Sequence, residues 1–262
     1  MKIQIVSDLH IDKNYDHMDA MITPIPDVRV LILAGDVCSC ASVEGLELFK
    51  TFIQTYCSSY PYVLHVAGNH EFHNPKRISG NPVSMFNIRL RLGKLMHEIP
   101  NYYYLDNNDM NIDGVHFIGT TLWCHLPSHL WLYYQHRISD YKYIYNYDTH
   151  CNLDTITPEQ VCMLHRTSTR YIEHILSITD NDSKVVLITH HPLIWNPIGR
   201  DLSYAYNNHL DHMLTPPVNL AVHGHTHIPM DKWIGNVHVV SNPYGYGSEC
   251  STSYRSDYVV DV

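Results

Sequence analysis

No stretch of this 262-residue chain is apolar over anything near the roughly 18 residues that cross a bilayer, which excludes a helical membrane span. Basic residues are scarce: 17 Lys and Arg stand against 26 Asp and Glu, a net charge of −9 with histidine neutral. That balance argues against binding driven by a nucleic-acid backbone, although a local basic groove stays open. There is no C-x-x-C pair. The 7 cysteines are odd in number and scattered, apart from Cys38-x-Cys40. No apolar signal region or small-residue cleavage site follows Met1–Gln4. These absences exclude a disulfide framework and predict reduced thiols in a cytoplasmic protein. No repeat, low-complexity tract or long linker interrupts the chain, so the reading is one domain over 1–262. With 45% hydrophobic and 16% charged residues, disorder, a collagen-like chain and a charge-rich coiled coil are excluded for the chain as a whole.

Histidine, at 21 residues, is plentiful, and neutral imidazole is a common metal ligand. Short β-rich runs recur, and most end in polar residues. Ile3–Val6 leads into Asp8 and His10, Val30–Ala34 into Gly35-Asp36, and Tyr62–Ala67 into Gly68-Asn69-His70-Glu71. Val115–Thr121 leads into Leu122-Trp123, Val185–Thr189 into His190-His191, and Leu220–Val222 into His223-Gly224-His225-Thr226-His227. Val237–Ser241 and Tyr258–Val262 complete the set. Continuous apolar runs of this length fit strands buried on both faces.

Helical periodicity lies between some of them. One face reads Leu46, Phe49, Ile53, Tyr56; another reads Met85, Ile88, Leu92, Leu95, Ile99. A third helix starts at Thr157, with Pro158 in the first turn and Gln160 closing a capping box. A short fourth pattern covers His209–Leu214. Strands alternating with helices predict an α/β fold. Over about 123–157 the periodicity fails, and the segment reads as a long irregular, aromatic-rich insert or lid.

The polar clusters stand at the C-terminal ends of predicted strands, where open α/β sheets bind ligands. Their donors are Asp8, His10, Asp36, Asn69, His190, His225 and His227. This is an oxygen and nitrogen set without thiolate, suited to Mn, Fe, Zn or Co. One metal takes about four protein ligands, so seven predict two metals sharing one carboxylate. Such a centre suits hydrolysis of phosphate esters.

Asp8-x-His10, Gly35-Asp36, Gly68-Asn69-His70-Glu71, His190 and Gly224-His225-x-His227 occur in this order across most of the chain. Together they resemble the calcineurin-like metallophosphoesterase superfamily. The runs Gly119–Trp123, Thr189–Pro192 and Ser241-Asn242-Pro243-x-Gly245-Tyr246 are similar to its bacterial and phage-type subgroup. The resemblance implies two packed mixed β-sheets flanked by helices, in four layers. It implies a first metal on Asp8, His10, Asp36 and His227, and a second on Asp36, Asn69, His190 and His225. Asp36 would bridge them, and a hydroxide between the metals would attack phosphorus in line. His70 would contact the phosphate and protonate the leaving oxygen. Mn²⁺ is the first choice of ion, with Fe, Zn, Co or Ni as alternatives. Many relatives carry an acid three residues after the bridging Asp to orient that histidine. Ser39 stands there here, so Glu71 or a water would have to substitute.

Asp-x-His and His-x-His in extended backbone place both side chains on one face, and the glycines before Asp36, Asn69 and His225 allow sharp turns. His191, Asn196 and Arg200 are candidate substrate contacts. Tyr141, Tyr143, Tyr145 and Tyr147 alternate with period two, which fits a strand or hairpin packing its rings. The functional alternative makes them a lid that stacks a flat leaving group, with Tyr141 and Tyr143 at the substrate. The leading reading is a phosphoesterase for a small phosphodiester or phosphomonoester, with a nucleotide among the candidates. The runner-up is a nuclease or nucleic-acid end-processing phosphatase. A protein phosphatase lacks its more elaborate motif after Asp36. A non-catalytic scaffold of the same fold is disfavoured because every motif position is intact. No membrane partner is expected.

Overall fold

The computed structural model describes residues 1–74, 81–196, 202–247 and 253–262. The chain begins β1 (Lys2–Val6), β2 (Val30–Leu33), α1 (Val43–Tyr56), β3 (Tyr62–Val66), α2 (Met85–Glu98), β4 (Tyr102–Leu105), β5 (Asn108–Ile112) and β6 (Val115–Thr120). There follow α3 (Trp131–Arg137), α4 (Asp140–Tyr143), β7 (Tyr145–Tyr147), β8 (Leu153–Thr155), α5 (Pro158–Ile178) and β9 (Lys184–Thr189). It ends with α6 (Ser203–Tyr206), β10 (Val218–Val222), β11 (Met230–Ile234), β12 (Val237–Ser241) and β13 (Val259–Asp261).

One sheet has the order β13-β1-β2-β3-β4 and the other β11-β12-β10-β9-β6-β5. Both are mixed: β1, β2, β3 and β4 are parallel, as are β6, β9, β10 and β12, with β13, β11 and β5 as antiparallel edge strands. The sheets pack face to face. Ile3, Ile5, Val30, Ile32, Leu64 and Val66 meet Phe117, Val186, Ile188, Leu220 and Val222 in one core. The alternate residues point outward. Leu31, Leu33 and Val63 are covered by Phe49, Phe52 and Ile53 of α1 and by Ile88, Leu92 and Leu95 of α2. Val185, Leu187 and Val239 are covered by α5 through Ile172. Because both faces of these strands are covered, their sequences run apolar without alternation. The result is the four-layer sandwich expected from the resemblance.

Helix entries follow the local chemistry. The Ser42 and Ser84 hydroxyls accept from the N–H groups of Gly45 and Asn87 at the starts of α1 and α2. Thr157 and Gln160 form the predicted reciprocal capping box. All eight predicted strands are present, with ends moved by at most two residues.

Three expectations are corrected. His209–Leu214 holds only a 3-10 turn, Asp211–Met213. The 123–157 segment is built rather than irregular: it contains α3, α4 and the antiparallel ribbon β7–β8. The period-two reading of its tyrosines fails, because Tyr141 and Tyr143 lie on the single helical turn α4 and only Tyr145 and Tyr147 on a strand. The segment is tied to the loop after β3 by bridges His73–Ile144 and Ser84–Tyr145 and by Asn74 N–H to Tyr143 C=O, 2.7 Å.

Candidate metal centre

The seven donors follow the C-terminal ends of β1, β2 and β3 in one sheet and of β9 and β10 in the other. Within the second sheet Gly224 N–H donates to His190 C=O at 3.0 Å, and the His190 side chain links the two sets, its Nδ1 donating across the sheets to Ala34 C=O at 2.9 Å.

The backbone here is not extended, which corrects the simple alternation argument. Asp8, His10, Asp36, His225 and His227 have φ of 54°, 44°, 56°, 69° and 54°, in the left-handed region that costs non-glycine residues energy. Five of the seven donors are therefore held in strained backbone. The glycines also act mainly through space. Gly35 has φ 87°, but a Cβ at Gly68 would overlap Asp36 Oδ1, and one at Gly224 would come within 2.6 Å of Asp8 Oδ2.

Two donor clusters result. In the first, Asp8, His10, Asp36 and His227 place ligand atoms within 4.8 Å of one another. His10 Nε2 and His227 Nε2 face each other at 3.2 Å, with Asp36 Oδ2 at 3.8 Å from the former and Asp8 Oδ1 at 3.5 Å from the latter. The second cluster can be read atom by atom. His190 Nδ1 and His225 Nε2 both point at carbonyl oxygens, those of Ala34 (2.9 Å) and Ala205 (3.2 Å). A carbonyl only accepts, so the hydrogens sit on those nitrogens and lone pairs sit on His190 Nε2 and His225 Nδ1. Asn69 Nδ2 donates to Asp140 Oδ1 at 2.9 Å, which turns Asn69 Oδ1 the other way. That oxygen lies 3.2 Å from His190 Nε2 and 3.1 Å from His225 Nδ1. Three lone pairs converge with no hydrogen between them, an arrangement that a cation satisfies. Asp36 spans the clusters: Oδ1 is 3.4 Å from His190 Nε2 while Oδ2 faces His10. The donor set thus fits two divalent ions.

Electrostatics agree. Burial, reinforced by neighbouring imidazoles, pushes the pKa of His10, His70 and His191 well down, and burial also lowers that of His190. His225 falls to about 3 for the same reasons. Neutral imidazole is the metal-binding form. Burial, with Glu71 and Asp8 nearby, pushes the Asp36 carboxyl well above its usual range, and a bound cation would oppose that rise.

Glu71 does not orient His70. It is buried and accepts from the N–H groups of Asp36 (3.0 Å), Val37 (2.7 Å) and Gly68 (2.7 Å), pinning two ligand loops together. Burial alone would raise its pKa, but His65 and these donors hold it lower. Ser39 donates to His73 C=O instead. His70 Nε2 meets the Tyr246 hydroxyl at 2.8 Å and lies 3.9 Å from Asp36 Oδ2, while Lys13 Nζ stands 3.5 Å from Nδ1.

The other predicted contacts are dispersed. His191 is the exception: it is buried beside the second cluster, with a ring nitrogen within 4.8 Å of those of His190 and His225, and it is bonded through Nδ1 to Thr121 C=O at 3.2 Å. Tyr141 is packed in the hydrophobic core, and Tyr143 lines a cavity beside His70. Asn196 donates its N–H to Asn207 Oδ1, and Arg200 lies outside the described residues. Residues not singled out include Asp140, which accepts from Asn69 and meets His73 Nε2 at 2.8 Å. Tyr206 stacks on His225 and Tyr246 on His10. The available signals were a lone carboxylate amid rings, at Asp140, and the place of Tyr246 at the end of the Ser241–Tyr246 run. Cys38 and Cys40 are buried, with burial raising both thiol pKa values.

Among proteins of known sequence, an uncharacterized protein, L509, of Acanthamoeba polyphaga mimivirus is 27% identical over 236 residues, covering 85% of this chain and 80% of that one. Among solved structures, the phosphopantetheinyl hydrolase PptH of Mycobacterium tuberculosis superposes with TM-score 0.75 at 18% identity, over 100% of this chain and 95% of that one. TT1561 of Thermus thermophilus superposes with TM-score 0.53 at 11% identity, over 94% and 89%. These structures share the fold. A model of the calcineurin-like phosphoesterases matches residues 1–229, and with that match the chain belongs to the calcineurin-like phosphoesterase family, hydrolases of phosphoric esters.

Proposed function

We propose that this protein uses a two-metal centre to hydrolyse a small phosphorylated substrate, a phosphomonoester or phosphodiester. The observation that carries the reading is Asp36, whose two carboxylate oxygens face two separate donor clusters. The first ion would be held by Asp8, His10, Asp36 and His227, and the second by Asp36, Asn69, His190 and His225. When bound, the ions supply a nucleophile by acidifying water and neutralise charge on the phosphoryl oxygens. The chain's own residues supply the rest. Lys13 only donates, so His70 Nδ1 accepts and the ring hydrogen stands on Nε2, on the side of Asp36. His70 would contact the phosphoryl group from there and pass its Nε2 proton to the leaving oxygen, while Nδ1 takes a proton from the Lys13 ammonium, 3.5 Å away.

A small substrate is supported by a cavity of about 560 Å³ at the donors, walled by Asp140, Tyr206 and Tyr246 among others. The PptH similarity supports the same scale of substrate, since that protein is named for a phosphopantetheinyl group. The net charge of −9 speaks against a long polyanion.

The test is hydrolysis of a chromogenic phosphodiester beside the matching monoester, after stripping metal and reloading Mn²⁺, then Fe²⁺, Zn²⁺, Co²⁺ and Ni²⁺. Turnover is expected with about two bound ions per chain, and Asp36→Asn should lose at least ~10²-fold. Absence of both metal binding and turnover would overturn the reading and favour a scaffold. A steep salt-dependent affinity for DNA would favour a nuclease instead.

A further inference from the structure

We infer, resting on the phosphoesterase reading above, that the substrate's leaving alcohol is a neutral, largely apolar group that occupies a second cavity on the far side of His70. Two cavities meet at this end of the molecule. The first, about 560 Å³, has Asp36, Asn69, His225 and His227 in its wall. The second, about 690 Å³, contains none of the seven donors. They share three residues, His70, Ser139 and Tyr246, so the catalytic histidine is part of the partition between them.

In-line displacement puts the nucleophile and the leaving oxygen on opposite sides of phosphorus. The nucleophile arises at the donor clusters, so the leaving oxygen points away from them. His70, which would protonate that oxygen, has Nε2 turned toward Asp36 and stands at the edge of the second cavity. The body attached to that oxygen therefore continues past His70.

The walls there define its chemistry. Tyr15, Leu48 and Tyr143 supply apolar surface. Two of the hydroxyls on the wall have partners in the protein: Ser39 Oγ donates to His73 C=O at 2.6 Å, and Ser42 Oγ accepts from Gly45 N–H at 2.9 Å. Two carboxylates, Asp12 and Glu44, line the cavity with Lys13. Lys13 lies at the shared edge, 4.3 Å over the Tyr246 ring and 3.5 Å from His70, where a phosphoryl group would meet it. A leaving group carrying further phosphates would face the two carboxylates without an equivalent number of cations. A neutral alcohol with an apolar body meets none of these costs, and the volume falls in the range of small-molecule sites.

The experiment titrates non-hydrolysable alkylphosphonates, methyl to hexyl, into the Mn²⁺-loaded protein by calorimetry. Affinity should rise about threefold per methylene, giving a hexyl-to-methyl ratio of about 240. Leu48→Trp, which fills the half-buried wall, should cut that ratio at least ~10-fold. Leu48→Ala, which removes wall without adding bulk, should cut it about threefold. Phosphate release from the matching alkyl phosphates should follow the same order in kcat/KM. Methylphosphonate binding and ester hydrolysis with a flat series, or a steep series untouched by both Leu48 variants, would overturn this inference and leave the phosphoesterase reading standing. No binding of any phosphonate, with no hydrolysis of any ester, would remove both.

Discussion

At the scale of single residues, the site depends on groups that fix lone pairs more than on the ligands alone. Asp140 is the clearest case. Its carboxylate takes the Asn69 amide hydrogen and meets His73, and these partners outweigh burial to hold its pKa below the usual range. Without it, the Asn69 amide is free to turn its NH₂ toward His190 and His225. Asp140→Ala should weaken the second ion about 10–100-fold, while Asp140→Asn, which keeps an accepting oxygen, should weaken it less. Metal stoichiometry by competition with a chelator separates the two sites. Equal affinity in Asp140→Ala and wild type would show that the Asn69 orientation is set elsewhere. That the seven candidate donors gather at one place was legible because each sits within five residues of the end of an apolar strand. Asp140, Tyr206 and Tyr246 were not assigned roles, because tertiary packing alone brings them to the site. The left-handed backbone at Asp8, His10, Asp36, His225 and His227 was also hidden. Residue type favours extended or helical values there, and only the surrounding bonds, such as His225 N–H to Asp8 Oδ1 at 2.9 Å, select the strained ones.

Among secondary-structure elements, legibility follows burial. β1, β2, β3, β9 and β12 are covered on both faces and read as apolar runs, whereas β5 and β11 are edge strands with largely exposed, polar sequences. Their pairing is carried by backbone hydrogen bonds, which leave little trace in side-chain pattern. α3 and α4 were missed for a related reason: at seven and four residues they are too short to show periodicity, and their stability comes from packing. The long helix α5 was fully signalled by its cap. Thr157→Ala should cost about 1 kcal/mol in chemical denaturation, with Thr157→Ser near neutral. α5 also carries an acid-sensitive group. His165 is buried against Trp123 C=O, and burial lowers its pKa to about 4, well beneath the unfolded value. Its neutral form is favoured by folding, so its contribution is complete above pH ~6.5 and lost as pH falls toward 4. Between pH 7 and 5 that amounts to about 2 kcal/mol, and His165→Gln should flatten the pH dependence of unfolding by roughly this amount. A pH slope unchanged in His165→Gln would place the sensitivity elsewhere.

For the whole molecule, the candidate metal centre lies between the sheets, where bound ions would act as a clamp. Asp8, His10, Asp36 and Asn69 leave one sheet, and His190, His225 and His227 leave the other. Ions that bind this arrangement and not the unfolded chain stabilise the fold by mass action, about 4 kcal/mol at a thousandfold excess over Kd. For a chain of this size that corresponds to a Tm change on the order of 10 °C. The same crowding of donors has the opposite sign without ions. Asp36 is buried beside Asp8 and Glu71, which is why its pKa is raised, and a buried carboxylate lacking a cation costs stability. The amide introduced by Asp36→Asn would keep an oxygen for the His70 N–H that Asp36 Oδ1 now accepts at 2.8 Å, and would remove the charge. The expected order of Tm is therefore loaded wild type first, metal-free Asp36→Asn second, and metal-free wild type last, with added Mn²⁺ raising wild type but hardly moving the variant. Differential scanning calorimetry with and without chelator measures all four states. A variant less stable than metal-free wild type would mean that Asp36 holds the sheets together through its own hydrogen bonds, and that the strained ligand loops are maintained by the fold rather than by the ions.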